Sequence, residues 1–187
     1  MEMPEKIIAN RLILERPYPV TFKLAEEMFA AVDLSRQTLR LWLPWVDATK
    51  TVEDEFSFLV TYCSDNWKNK SGFPYIIRKK DTNEFIGSID LMKINEERKS
   101  GEIGYWLSDT AVGAGYMQEA VHALETEGFA RGLNRIVIGN DTRNTRSVNV
   151  AMRCGYHLDG VMRQDRIDHI SQQFVDSNVF SKLKFEL

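Results

Sequence analysis

The segment from Gly101 to Tyr156 constrains the fold of this chain more than any other part of it. A strand-like run ends in the turn Gly113–Gly115, and an amphipathic helix follows at once, with apolar residues at helical spacing from Met117 onward. A second short strand then leads into an Asn-rich turn and a second helix, which we expect to start at Ser147. Unpaired backbone N–H groups point outward at a helix start, so two such starts predict a site for a pyrophosphate ligand.

Composition narrows the class of protein that carries this segment. A chain of 187 residues, 43% of them hydrophobic and 27% charged, predicts one domain over residues 1–187 that buries a core without disulfides or metals. The net charge of -3 gives no general attraction to nucleic acid or to an anionic membrane. The N-terminus lacks the apolar stretch of a signal peptide, and no run approaches the ~18 apolar residues of a membrane span. We therefore expect a cytoplasmic protein.

The cysteines and histidines predict neither a disulfide nor a metal site. Cys63 and Cys154 lie far apart with no CxxC pair, which is typical of reduced thiols in a cytoplasmic protein. The three histidines show no ligand spacing with a carboxylate or a cysteine. The sequence therefore predicts chemistry that uses neither a disulfide nor a metal ion.

The order of elements predicts an α/β fold with a mixed, mainly antiparallel sheet flanked by helices. Arg11–Arg16 alternates and stops at two prolines, which favours an edge strand. Tyr75–Lys79, Glu84–Ile94 and Gly101–Leu107 form an antiparallel meander, after which helices and strands alternate. A Rossmann-type domain is the alternative, and the early meander argues against it. Helices are also expected within residues 22–43 and from Thr51.

Five motifs in this order carry a resemblance to a known family: RLILERP, LRLWLPWVD, EIGYWL, VGAGYMQEAV and NTRSVNVAMRCGYHLDGVMR. The chain resembles the GNAT superfamily of N-acetyltransferases and, within it, the RimJ/RimL type that acetylates ribosomal-protein N-termini. The resemblance implies a sheet that splays open near Leu107 and Arg135, with acetyl-CoA in the opening. Three positions depart from the family pattern: Val112 replaces Arg or Gln, Met117 replaces Gly or Ala, and Ala151 replaces a tyrosine that serves many members as general acid.

The resemblance also implies a set of contacts with acetyl-CoA. Glycines let the loop backbone approach the pyrophosphate, and the free backbone at the end of a strand pairs with the extended pantetheine. Asparagine side chains orient the pantetheine or the substrate, and an arginine meets a phosphate. The predicted cofactor-binding residues are Trp106, Leu107, Val112, Gly113, Ala114, Gly115, Tyr116, Met117, Asn140, Asn144 and Arg146.

Catalytic roles follow from what acetyl transfer to an amine requires. Glu102 is the candidate base, because it shares a strand face with a glycine and Trp106 and would line a cleft. Ser147 is the candidate acid, by resemblance to the Rim type. The alternatives are a solvated edge glutamate and a helix-capping serine. Trp42, Trp45 and Tyr105 are expected at the acceptor cleft, with a core or interface role left open for the two tryptophans.

These residues together predict an N-acetyltransferase that moves an acetyl group from acetyl-CoA to a primary amine. The resemblance implies the N-terminal α-amine of a ribosomal protein as acceptor. A small amine, such as a polyamine or an antimicrobial, is the first alternative. A degenerate acyl-CoA-binding module is the second, because the helix tyrosine is missing at Ala151. Whether the protein forms a homodimer is left open.

Overall fold

The computed structural model describes residues 1–187 and contains one eight-stranded sheet. The strand order is β1-β2-β3-β4-β5-β6-β8-β7, and every neighbouring pair is antiparallel except β5 and β6. The mixed, mainly antiparallel sheet confirms the predicted fold class and excludes the Rossmann-type alternative, which needs a mainly parallel sheet. The strands are β1 (Lys6–Ile8), β2 (Leu12–Glu15), β3 (Phe73–Lys79), β4 (Phe85–Asn95), β5 (Ser100–Leu107), β6 (Arg135–Asp141), β7 (His157–Ile167) and β8 (Phe174–Leu183).

The helices cover both faces of the sheet. They are α1 (Phe22–Leu34), α2 (Arg36–Leu39), α3 (Val52–Phe58), α4 (Ser64–Asn69), α5 (Tyr116–Ala130) and α6 (Thr145–Arg153). Thr51 caps α3 as predicted, in a reciprocal capping box with Asp54. The segment Leu59–Cys63 continues α3 as one π-helical stretch before α4 begins. No helix is both long and apolar enough to cross a membrane.

Alternating residues of the strands feed two separate cores. On one face, α5 buries Met117, Val121 and Leu124 against the sheet, as the helical spacing predicted. On the other face, Leu24 and Met28 of α1 pack with Ile76 of β3 and with the π-helical segment. The two cores therefore cover opposite faces of the sheet.

The strand at Arg11–Arg16 is not an edge strand, contrary to the prediction. β1 lies outside it, with Lys6 opposite Glu15 and Ile8 opposite Ile13. The prolines at 17 and 19 end β2, but they do not determine which strands pair with it. β1 is only three residues long, so no alternation could reveal it in the sequence.

The sheet opens between β5 and β6, as predicted. The two strands pair only from Ser100 to Glu102 and from Arg135 to Val137. β5 continues to Leu107 and β6 to Asp141, but β6 stays paired with β8 instead. The strands therefore diverge after Glu102, and the last five residues of β5 have one free backbone edge.

Candidate active site

A cavity of about 330 Å³ lies where β5 and β6 diverge, close to the lower limit for small-molecule sites. Its walls come from the end of β5, the loop before α5, the first two turns of α6 and the segment around α2. Most of the predicted site residues therefore meet at one place. The predicted residues that line the cavity are Trp42, Tyr105, Trp106, Leu107, Val112, Gly113, Gly115, Tyr116, Met117, Asn144, Arg146 and Ser147.

The loop before α5 presents backbone donors to this cavity. Gly113 and Gly115 have φ angles of 87° and 77°, in the left-handed region that favours glycine. Gly115 is the N-cap of α5 and provides no side chain to cap it. The N–H groups of the first turn therefore remain available for an anion, as the sequence predicted.

Arg11 supports this loop, and the sequence did not single it out. Its Nη1 donates to the carbonyl oxygen of Ala114 at 2.9 Å, and its Nε donates to Glu119 Oε2 at 2.8 Å. The guanidinium also lies 4.6 Å from the centre of the Tyr116 ring. Arg11 thus ties the loop and the first turn of α5 to β2. It also brings a positive charge to a loop that has Val112 where the family pattern has a basic or amide residue.

Asn144, and not Ser147, caps the second helix. The side-chain oxygen of Asn144 accepts a hydrogen bond from the Ser147 N–H at 3.1 Å, so α6 begins at Thr145. The expectation that the helix starts at Ser147 was wrong. Asn144, three residues earlier, caps the helix by accepting from the Ser147 backbone N–H, so Ser147 already lies inside the first turn. The Ser147 hydroxyl instead lies 3.0 Å from the hydroxyl of Tyr105. Burial, the largest cause, raises the pKa of Tyr105 above its ordinary value.

Glu102 lies at the base of the opening, outside the cavity lining. Both of its carboxylate oxygens accept from Lys93 Nζ, at 3.0 and 2.9 Å. A Cβ on Gly139 of β6 would lie 3.9 Å from Glu102 Oε1, so the glycine leaves the space before the carboxylate open. The Glu102 side chain is 26% exposed, so it is neither fully solvated nor fully buried.

Three further predicted residues lie outside the cavity lining. The ring of Trp45 packs 6.0 Å from that of Trp106. The Asn140 amide oxygen accepts from Asn178 of β8, so this side chain faces the neighbouring strand. Ala114 contributes its carbonyl to Arg11. Tyr105, in contrast, lines the cavity with Trp42, and its hydroxyl reaches Ser147.

Arg143, which lies in the turn before α6, is held away from the cavity. Its guanidinium pairs with Asp141 at 2.7 Å and with Asp168 at 2.6 Å. These ion pairs tie the turn before α6 to the β7–β8 hairpin. Arg146 and Arg153 line the cavity and remain the basic residues able to meet a phosphate there.

A second carboxyl, Asp90 of β4, lies on the same sheet face as Glu102. It is buried, and its Oδ2 accepts from the Tyr62 hydroxyl at 2.8 Å. Burial is the largest cause that raises the pKa of Asp90, to about 6. An aspartate inside the apolar run FIGSIDLMKIN was the signal that could have found it.

Comparisons with known proteins agree with this geometry. Residues 11–157 match the family model described as an acetyltransferase (GNAT) domain. An uncharacterized N-acetyltransferase of Bacillus subtilis, YoaA, is 28% identical over 94% of both chains. The ribosomal-protein-serine acetyltransferase of Escherichia coli is 33% identical over 58% of this chain and 59% of its own.

Solved structures show the same architecture with the cofactor bound. The microcin self-immunity acetyltransferase MccE, in complex with acetyl-CoA and AMP, has a TM-score of 0.84 at 26% identity over 93% of both chains. A structure of RimL, a ribosomal alpha-N-protein acetyltransferase, with coenzyme A has a TM-score of 0.86 at 24% identity. That alignment covers 96% of this chain and 98% of RimL. The family match, the opened sheet and the loop of free backbone donors lead to one conclusion: the chain belongs to the GNAT family of N-acetyltransferases, which use acetyl-CoA as acetyl donor.

Proposed function

We propose that the protein acetylates the N-terminal α-amine of another protein, with a ribosomal protein as the first acceptor to test. One observation carries the proposal: a free strand edge, a helix N-terminus and the Ser147 hydroxyl meet at one cavity, and the Glu102 carboxylate stands at its base. The relative that is 33% identical acts, by its name, on a ribosomal-protein serine. A cytoplasmic location is part of this proposal.

The ion pair of Glu102 supports a primary amine as acceptor. Lys93 Nζ lies within 3.0 Å of both carboxylate oxygens, so this carboxylate already holds a primary ammonium group. The Lys93 side chain is 69% exposed and gains little from an ion pair in water. An incoming ammonium group can therefore take its place at Glu102.

The acid–base chemistry of amines favours an α-amine over a lysine side chain. At pH 7 roughly 14% of an α-amine is neutral, against roughly 0.04% of a lysine side chain. The pKa of an α-amine lies close to pH 7. A single partly exposed carboxylate can therefore deprotonate an α-ammonium group more easily than a lysine ammonium group. An α-amine is therefore the favoured acceptor class.

In the proposed reaction, Glu102 accepts the proton of the acceptor ammonium, directly or through one water. The neutral nitrogen then attacks the carbonyl carbon of the thioester. The C–S bond of the tetrahedral intermediate breaks, and the electron pair stays on sulfur. The Ser147 hydroxyl donates a hydrogen bond to that sulfur as it leaves, and water supplies the proton that completes the thiol. Glu102 passes the first ammonium proton to solvent and then accepts the second N–H proton. Holding both reactants along the free edge of β5 supplies the orientation that the reaction needs.

Mass spectrometry of protein N-termini, in cells with and without this gene, tests the acceptor. We expect the loss of an N-terminal acetyl group from one or a few proteins, with ribosomal proteins first among them. An unchanged set of N-termini together with altered acetylation of polyamines would contradict the proposal.

Substitution of Glu102 by Gln tests the role of the carboxylate. We expect Glu102→Gln to lower the rate of acetyl transfer by roughly 10²–10⁴-fold, because the acceptor ammonium then has no base. The loss should shrink as the pH rises, since the amine becomes neutral without help. Release of the CoA thiol, measured against pH with an N-terminal peptide, gives this profile.

Lys93→Gln is the matched control, because it removes the other half of the ion pair and keeps the base. We expect this variant to retain its rate of acetyl transfer. Equal losses in the two variants would mean that the ion pair matters for structure and that Glu102 is not the base.

A small-molecule acceptor is the second candidate function. MccE, with a TM-score of 0.84, was solved with AMP beside acetyl-CoA. Trp42 and Trp106 line the cavity here, so aromatic surface is available for a planar group. Transfer to aminoacyl nucleotides and polyamines, with none to peptides, would favour this candidate. Binding of acetyl-CoA without transfer to any amine would favour the acyl-CoA-binding module.

A further inference from the structure

Tyr105 and Ser147 form a pair of hydroxyl groups inside the cavity. The Tyr105 hydroxyl lies 3.0 Å from Ser147 Oγ and 3.3 Å from the carbonyl oxygen of the same residue. The first residue lies on β5 and the second on α6, so this contact crosses the opening between the strands. Both residues line the cavity where the thioester is expected.

The Ser147 hydroxyl does not cap the helix, so capping does not explain its contact with Tyr105. Asn144 caps α6, and Tyr105 is the one hydrogen-bond partner of Ser147 Oγ in the structure. A serine that merely completes a helix start would bond to a backbone N–H of its own turn. Here the serine hydroxyl is held from across the cavity instead.

Ala151 lies one turn beyond Ser147 on the same face of α6, and it is fully buried. Many members of the family carry a tyrosine there, and the ring of Tyr105 packs against the same core cluster that contains Ala151. The Tyr105 phenol therefore approaches α6 from the strand side of this core. The hydroxyl of that phenol reaches α6 at the serine.

We propose that Tyr105 is a positioning residue for acetyl transfer: its phenol donates to Ser147 Oγ and so leaves the serine hydrogen free to point at the departing sulfur. This inference rests on the proposed role of Ser147. Two hydroxyls in contact share one hydrogen between them, and the direction of that bond decides which hydrogen remains free. Donation by Tyr105 also polarises the serine O–H, which strengthens the bond it makes in turn.

The phenol keeps its proton throughout the reaction. Burial raises the pKa of Tyr105 above its ordinary value, so the group is a hydrogen-bond donor and a poor source of a proton. As the C–S bond breaks, the sulfur carries the electron pair and accepts the hydrogen bond of Ser147. Water supplies the proton that completes the thiol. Neither hydroxyl ionises.

The first test measures the thiol of bound coenzyme A and needs no acceptor. A donor aimed at the sulfur favours the thiolate, so the bound thiol should have a lower pKa than the free thiol. We expect Tyr105→Phe to raise the pKa of the bound thiol by about one, because Ser147 is then no longer held toward the sulfur and its charge-assisted hydrogen bond to the thiolate is lost. The thiolate absorption in the ultraviolet, with the desulfo-coenzyme A complex as blank, gives this value. An unchanged pKa of the bound thiol in Tyr105→Phe would overturn the proposal.

The second test is a double-mutant cycle on the transfer rate. We expect Tyr105→Phe and Ser147→Ala each to lower kcat by about tenfold, with KM for acetyl-CoA unchanged, because the bond forms to the leaving thiolate. The double variant should be no slower than Ser147→Ala alone, since Tyr105 acts through the serine. Additive losses would contradict the proposal. If the wild-type protein transfers to no amine at all, the proposed function fails, and the thiol titration still decides the role of Tyr105.

Tyr156→Phe is the matched control for both tests. Tyr156 is also a buried phenol, and its hydroxyl has no hydrogen-bond partner in the structure. We expect this variant to leave the thiol pKa and kcat unchanged. Thermal unfolding of each variant checks that it is folded, and a folded Tyr105→Phe that behaves like the control in both tests refutes the inference.

Discussion

At the scale of single residues, Glu55 makes the stability of the fold depend on pH. Its side chain lies on α3 and is 3% exposed. Burial first, and the charge of Asp54 second, raise the pKa of Glu55 from 4.5 to about 7. A carboxyl with a raised pKa favours the folded state most when it is protonated. Its contribution is therefore complete below about pH 4.5 and is lost as the pH rises through about 7.

We accordingly expect Glu55→Gln to stabilise the protein at alkaline pH. The gain in the free energy of unfolding should reach as much as ~3 kcal/mol above about pH 8 and should vanish near about pH 4. Urea unfolding at several pH values measures it. Glu53→Gln, on the exposed side of the same helix, is the control and should show no pH-dependent gain. A gain for Glu55→Gln that is equal at all pH values would show that burial of the charge is not its cause.

At the scale of secondary-structure elements, the loop before α5 depends on Arg11, the residue that precedes β2. Arg11 bonds to the loop carbonyl of Ala114 and to Glu119 in the first turn of the helix. We expect Arg11→Met to raise KM for acetyl-CoA by roughly tenfold, because the backbone donors lose their fixed position, while kcat changes little. Steady-state kinetics with varied acetyl-CoA measures both constants.

Arg16→Met is the control for this prediction. Arg16 follows the other end of β2, and its guanidinium pairs with Glu5, away from the loop. The same substitution there removes the same charge and should leave KM unchanged. If both variants raise KM equally, general electrostatic attraction explains the effect, and the contact of Arg11 with the loop does not.

At the scale of the whole molecule, a buried ion pair joins the two helices whose N-termini face the cavity. Lys182 Nζ of β8 lies 2.7 Å from Glu125 Oε1 of α5 and donates to the carbonyl oxygen of Cys154, at the end of α6, at 3.0 Å. We expect Lys182→Met to lower the free energy of unfolding by up to ~3–5 kcal/mol, because it leaves the buried Glu125 carboxylate with His122 as its one remaining side-chain partner.

The double variant Glu125→Leu/Lys182→Met distinguishes the loss of the ion pair from the loss of the other contacts that Lys182 makes. It removes both charges, so we expect it to recover most of the stability that Lys182→Met loses. Chemical denaturation of the three proteins gives the comparison. A double variant as unstable as the single one would mean that the lysine acts through the Cys154 carbonyl and not through Glu125.

The sequence alone determined the features that depend on neighbours along the chain. Apolar residues at helical spacing from Met117 identified α5, and the glycines before it identified the loop, because helix periodicity and turn geometry are local properties. The meander of β3, β4 and β5 followed from alternation and short turns in the same way. These elements and the motifs on them were sufficient to predict the family and the cofactor.

The tertiary structure decided every contact between residues that are distant in sequence. Arg11 supports the loop at Ala114 from about a hundred positions away, Tyr105 meets Ser147 across the opened sheet, and Lys93 holds Glu102. Such contacts depend on which strands are neighbours and on which face each side chain takes, and no local pattern encodes the two together. For the same physical reason, β1 displaced β2 from the edge of the sheet, and Asn144 took the capping role that was the alternative function of Ser147.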